Sequence, residues 1–278
     1  MALLCGKASA GELAAADKGF GSDTFKPFMF IHLGDPQIGM KWHGGVEEQV
    51  RRFRDAITQA NELAPAFVLI AGDLTHQRKP EQWAAFDREL SSLRSPVMLT
   101  AGNHDTPGPT QRRAYLERYG KDYYAIVYNN CSFLIVNSML FATEFKGENG
   151  VADQWTLIEN TLAAARKKGR THIIISVHHP PSPGRSDVPQ RLLELARKHL
   201  TRTFLSGHTH KNRVIKAKDG AYTAYVTAGT NALFRLGKGA DHGYRIFSVY
   251  EDRVEQTLVH LYKTPMTEKR LAATLDPR

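Results

Sequence analysis

The sequence is short of cysteine and of long apolar runs, and each shortage removes a class of protein. Of 278 residues only Cys5 and Cys131 are cysteines, so disulfides do not hold the fold and no cysteine pair is available for a metal. Apolar runs such as Phe28–Leu33 and residues 173–177 are strand-sized, far below the ~18–20 residues a membrane-spanning helix requires. A soluble chain is expected. The opening Met-Ala-Leu-Leu-Cys-Gly lacks a basic start and the ~7–15-residue apolar core of a secretion signal. It reads as the remnant of a longer exported precursor or as a tail, and localisation stays open with the cytoplasm slightly favoured over export. Acidic residues are outnumbered, 28 to 37, for a net charge of +9. The basic groups at Arg51, Arg52 and Arg54, at Arg112 and Arg113, and at 166–170 read as solvated helix faces and helix C-termini. A field that draws in phosphorylated or polyanionic ligands is the sharper alternative.

Residues 1–25 carry no convincing period and are expected to form a tail. From Lys26 onward, short apolar runs alternate with amphipathic stretches. Strands are predicted over 28–33, 66–71, 97–100, 123–128, 132–137, 171–177 and 203–206. Helices are predicted over 46–63, where Val50, Phe53, Ile57 and Ala60 form one stripe, and over 80–93, 109–119, 153–168 and 188–200. Two hairpins follow, 213–218 with 221–227 around Asp219-Gly220, and 243–250 with 253–262 around Glu251-Asp252. The expectation is one α/β domain over 26–264, with strands in two sheets, helices outside them, and a second tail over 265–278.

Polar clusters stand where predicted strands end: Gly34-Asp35-Pro36-Gln37, Gly72-Asp73-Leu74-Thr75-His76, Gly102-Asn103-His104-Asp105, His178-His179-Pro180-Pro181 and Gly207-His208-Thr209-His210. Sites in open α/β sheets gather outside the carboxyl ends of strands. Carboxylate, amide and imidazole are the ligands that hard and borderline divalent metals take. One Gly-Asp is usually a turn and one histidine usually a satisfied or surface residue, but five such clusters after five strands point to a shared metal crevice. A glycine just before each ligand is expected to let the backbone turn sharply.

The order of these motifs from 34 to 210 resembles the calcineurin-like metallophosphoesterase superfamily, with GNHD and GHTH the most specific pieces. The Gly-Asp-Pro-Gln opening is most similar to the branch of calcineurin-like phosphoesterase-domain proteins with a serine/threonine-phosphatase role. The resemblance implies a two-sheet β-sandwich flanked by helices, with a dinuclear site at strand carboxyl ends. It implies two divalent ions (Mn, Fe, Zn or Mg), with Asp35 and His210 on the first, Asn103, His178 and His208 on the second, and Asp73 bridging. His104 would act on the phosphoryl group, and Asp105 would hold a turn. Gln37 stands where most of the superfamily has histidine, and would ligate the first ion more weakly. His76 has three open roles: a replacement ligand, a support for His104, or a solvent-facing loop residue, with the last the default.

The implied function is a hydrolase that cleaves phosphate esters by attack of a hydroxide bridging two metals, acting on a phosphorylated protein or small molecule. A phosphodiesterase or nuclease of the same superfamily is the alternative, and a non-catalytic metal- or phosphate-binding relative is a third reading. Basic residues do not interleave with aromatics, which disfavours nucleic acid. Substrate choice is expected from the loops at Lys41-Trp42-His43, 141–151, 182–188 with Arg185, and 230–242 with Arg235.

Overall fold

Alternation along the first strand sets out the layers. In β1 (Phe28–Leu33), Phe28 and Phe30 enter the apolar layer between two sheets, while Met29, Ile31 and Leu33 face a layer of helices. Both faces are covered, which is why this strand reads as a continuous apolar run rather than an alternating one. The structure, a computed structural model, describes residues 22–40, 45–182, 188–231 and 241–275. Most of the expected N-terminal tail, the Lys41-Trp42-His43 loop, Arg185 and Arg235 lie outside the described residues.

In the first sheet β1, β2 (Val68–Ile70) and β3 (Val97–Leu99) run parallel. β10 (Gly243–Val249) and β11 (Val254–His260) extend it antiparallel, giving the order β11-β10-β1-β2-β3. The second sheet has the order β4-β5-β6-β7-β9-β8. Its strands are β4 (Tyr124–Tyr128), β5 (Cys131–Val136), β6 (His172–Val177), β7 (Thr203–Ser206), β8 (Arg213–Lys216) and β9 (Thr223–Val226). β5, β6, β7 and β9 are parallel, with β4 and β8 antiparallel at the edges.

Helices α1 (Gly45–Leu63), α2 (Pro80–Leu90) and α3 (Pro109–Tyr119) pack on the first sheet through residues such as Phe53, Phe86 and Tyr115. Helices α4 (Asn149–Lys167) and α5 (Gln190–Lys198) cover the second through Ile158, Leu162 and Leu192. One expectation needs correction: the segment read as a C-terminal tail holds helix α6 (Met266–Ala273). It packs Met266, Ala272 and Ala273 on the first core, and buried Lys269 donates to Leu261 O at 3.0 Å and Gln59 Oε1 at 2.8 Å.

Candidate metal centre

The parallel strands nearest the middle of the sandwich each end in a loop that carries a polar residue to one place. Asp35 and Gln37 follow β1, Asp73 follows β2, Asn103 and His104 follow β3, His178 follows β6, and His208 and His210 follow β7. The first two loops run side by side: Gln37 N–H donates to Asp73 O at 2.7 Å, Ile38 N–H to Leu74 O at 3.1 Å, and His76 N–H to Ile38 O at 2.9 Å.

The glycines before the ligands work differently from the expectation. Of Gly34, Gly72, Gly102 and Gly207, only Gly72 has a left-handed φ, +94°. A Cβ on Gly102 would collide with Asp73 Oδ1, one on Gly207 with Asp35 Oδ2, and one on Gly34 with Thr227 O. These three clear space for carboxylates and close backbone rather than turning the chain. The left-handed turns are taken by the site residues themselves, Gln37 at φ 40°, Asp73 at 51°, His208 at 67° and His210 at 53°. Such conformations cost on the order of 1–3 kcal/mol each and persist where surrounding structure imposes them.

Asp73 is the hub. Its Oδ1 accepts His104 N–H at 2.8 Å, while Oδ2 lies 3.3 Å from His178 Nε2 and 3.5 Å from Gln37 Nε2. Asn103 Oδ1 is 3.0 Å from both His178 Nε2 and His208 Nδ1. Donor atoms of Asp73, His178 and His208 all fall within 4.8 Å of one another. Asp35 accepts His208 N–H at 3.0 Å on each oxygen, with Oδ1 4.0 Å from His178 Nε2. His178 Nδ1 donates to Ala71 O at 2.6 Å and His210 Nδ1 to Asn231 O at 2.7 Å. Backbone anchors of this kind fix a ring so that its other nitrogen can ligate.

His104 and His76 form a unit at the rim. His104 Nδ1 donates to His76 O at 2.7 Å, the two rings stack with centroids 4.7 Å apart, and Arg78 holds His104 O at 2.5 Å. The default reading of His76 as a solvent-facing residue gives way to contact with His104. Asp105 is fully buried and accepts Leu74 N–H and Gly102 N–H at 2.9 Å each, tying the second loop to the third. His179 bonds Ser138 Oγ at 2.7 Å and packs on His208. Ala71, Arg78 and Ser138 had no signal as site residues, and Asn231 stood only within the 230–242 loop; Ala71 and Asn231 accept through backbone carbonyls that any residue could offer. Asn231 also donates to Pro36 O and Gln37 O at 3.0 Å each.

The titratable groups of the site set one another's protonation. Burial pushes Asp35 well above the ordinary carboxylate range, against the pull of His178. Burial opposes ionisation of Asp73 too, but His178 and His104 together hold it below that range. Burial also opposes the charge on His178, yet Asp73 and Asp35 lift it to about 10. Asp105 rises to about 7, from burial and then from Asp73. Gln37 Oε1 is buried and lacks a hydrogen-bond partner. An orphaned amide oxygen beside crowded carboxylates and anchored imidazoles fits divalent cations.

Carboxylate, amide and imidazole are the donor set, which is the chemistry of a divalent-metal site. Residues 28–212 match the calcineurin-like phosphoesterase family, and the chain belongs to that family. It is similar to human serine/threonine-protein phosphatase CPPED1, 27% identical over 273 residues, with 85% of this chain and 83% of the relative covered. It is 29% identical to the glycerophosphodiester phosphodiesterase GpdQ of Enterobacter lignolyticus over 183 residues, covering 56% of this chain and 60% of the relative. Among solved structures, a dimetal phosphatase from Danio rerio superposes with a TM-score of 0.66 at 16% identity, covering 85% of this chain and 97% of that one. The protein is therefore a metal-dependent hydrolase of phosphoric esters, phosphatase-like in kind. No helix among the described residues is long and apolar enough to cross a membrane.

Proposed function

We propose that the protein is a phosphomonoesterase of the protein-phosphatase type, acting on a phosphorylated serine or threonine side chain. Asp35, Gln37 and His210 would hold one divalent ion, Asn103, His178 and His208 the other, and Asp73 both. The observation that carries this division is the position of Asp73, whose Oδ2 faces Gln37 on one side and His178 on the other. Such ions supply, when bound, an activated water and a positive clamp on the phosphoryl oxygens.

The remaining work falls to the chain. Asp35 and Asp73 offset part of the added positive charge, leaving a site that attracts an anionic ester. His104 is held by His76 O through Nδ1–H, so Nε2 is the ring atom left for the substrate, and in the imidazolium form it donates a proton or hydrogen bond to the phosphoryl group or its leaving oxygen. The His76 ring stacked on it restricts its rotation. General acid help of this sort is worth roughly 10²–10⁴-fold. Similarity to CPPED1 supports the monoester reading over the diester one, because it spans more of the chain than the similarity to GpdQ.

The test is hydrolysis of a phosphomonoester and a phosphodiester side by side, with Mn, Zn, Fe and Mg added in turn. The expected result is metal-dependent turnover of the monoester well above that of the diester. Faster diester cleavage in every metal would replace the reading with a phosphodiesterase.

A further inference from the structure

A groove leaves the site beside Asn103 and His208 and runs along an apolar wall of Met139, Phe141, Ala142 and Pro189, with Glu144 also lining it. We propose that this groove holds an extended phosphopeptide, with an apolar residue next to the phosphorylated one and Lys or Arg further out. The inference rests on the phosphoesterase reading above and names the substrate class of the same site.

The wall is braced rather than a loose loop. Asn137 is fully buried, accepts Met139 N–H at 2.9 Å and donates to Asp122 at 2.7 Å, which fixes the turn that begins the wall. Phe141 packs on Trp155 with centroids 5.0 Å apart. Arg191 lies over the Trp155 ring at 4.4 Å and pairs with Glu159 at 2.5 Å. A preformed apolar wall binds a chain without first having to order itself. An isolated small phosphate ester would fill the metal end and leave most of this wall bare.

Glu144 supplies the selectivity. The chain carries a net charge of +9, yet among the described residues no cationic side chain pairs with Glu144, whose hydrogen bond is to Thr143 Oγ1 at 3.4 Å. An exposed carboxylate that pairs with no cation among the described residues, lining the same groove as Asn103 and His208, favours a ligand that carries a positive group as well as its phosphate.

The experiment uses the full-length protein with Mn added and two phosphopeptides identical except for Arg or Glu at the outer position. p-Nitrophenyl phosphate is run beside them on the unmodified protein. The Arg peptide is expected to show a kcat/KM about threefold higher, the scale of one exposed ion pair. Glu144→Lys should reverse the order, and Glu144→Gln should level it. Glu144 is exposed, so these variants fold. Equal kcat/KM for the two peptides, or a preference unmoved by Glu144→Lys, overturns the groove assignment. Turnover of p-nitrophenyl phosphate in that case leaves the phosphoesterase reading standing. No turnover of any substrate removes both.

Discussion

The two ends of the sandwich are built from opposite materials. Near the start of β1, Phe28 and Phe30 pack with Phe67 and Phe133, and the Phe30 ring stacks on Phe67 at 5.0 Å and on Phe247 at 4.9 Å. Two residues further along the same face of β1 comes His32, hydrogen-bonded to Thr227 at 2.8 Å, and nearby strands contribute the Thr100–Ser176 pair at 2.6 Å. Beyond them lie the loops of the polar cluster with their left-handed backbones. The aromatic end can hold the sheets together by area and packing alone. The polar end is held by directed bonds, and it stores strain that the aromatic end must outweigh. Stability and chemistry are thus separable along one strand direction, and substitutions should sort accordingly.

At the chemical end, His104→Ala is expected to lower kcat by about 10²–10⁴-fold while retaining metal and leaving the unfolding midpoint nearly unchanged. Steady-state kinetics with metal analysis checks this. Loss of metal in that variant would move His104 among the ligands. At the aromatic end, Phe30→Ala should cost roughly 3–5 kcal/mol of stability, with kcat per folded molecule preserved. Denaturant unfolding beside active-site titration measures both. A catalytic defect without a stability defect would break the separation.

His32 sharpens the boundary between the ends. Burial, with Arg245 alongside, lowers its pKa to about 3. Above about pH 6.5 it is neutral in both folded and unfolded chains, so it gives no pH dependence there. As pH falls through 6.5 the unfolded chain takes up a proton that the folded chain refuses, and stability is lost down to about pH 3. Between pH 7.5 and 5.0 its share is about 2 kcal/mol. Urea unfolding at those two pH values should show that share, and His32→Gln should lose it. An identical pH difference in the variant would show that His32 does not titrate as a buried group.

The smallest effect concerns Gln37. Gln37→His should tighten the first metal by a fewfold, since imidazole is the stronger donor to transition ions, with little change at saturating metal. Metal titration of activity follows this. An unchanged midpoint would make Gln37 a neighbour of the site rather than a ligand.

Legibility in the sequence followed the same division. Strands such as β1 and β6 were readable because they are buried on both faces and therefore apolar throughout. The polar cluster was readable because Asp, Asn and His recur just after strands, where a chain would otherwise place turns. Helix α6 was missed because it is short and mostly polar, and besides Met266, Ala272 and Ala273 it docks through the stem and ammonium of buried Lys269. The anchoring of His210 by Asn231 was also hidden, because it uses a backbone carbonyl 21 residues away. Gly102 and Gly207 were seen, but their reason was not. Space for a carboxylate from another loop is a tertiary fact.

Metal stoichiometry of Asp73→Ala tests the account most directly, because Asp73 is the residue on which both halves of the site depend. Measured by elemental analysis after equilibration with Mn and gel filtration, the unmodified protein is expected to retain two equivalents and the variant close to none. The fold should remain intact by circular dichroism. Two equivalents retained by a folded Asp73→Ala protein would contradict the account, since some other group would then join the two ions.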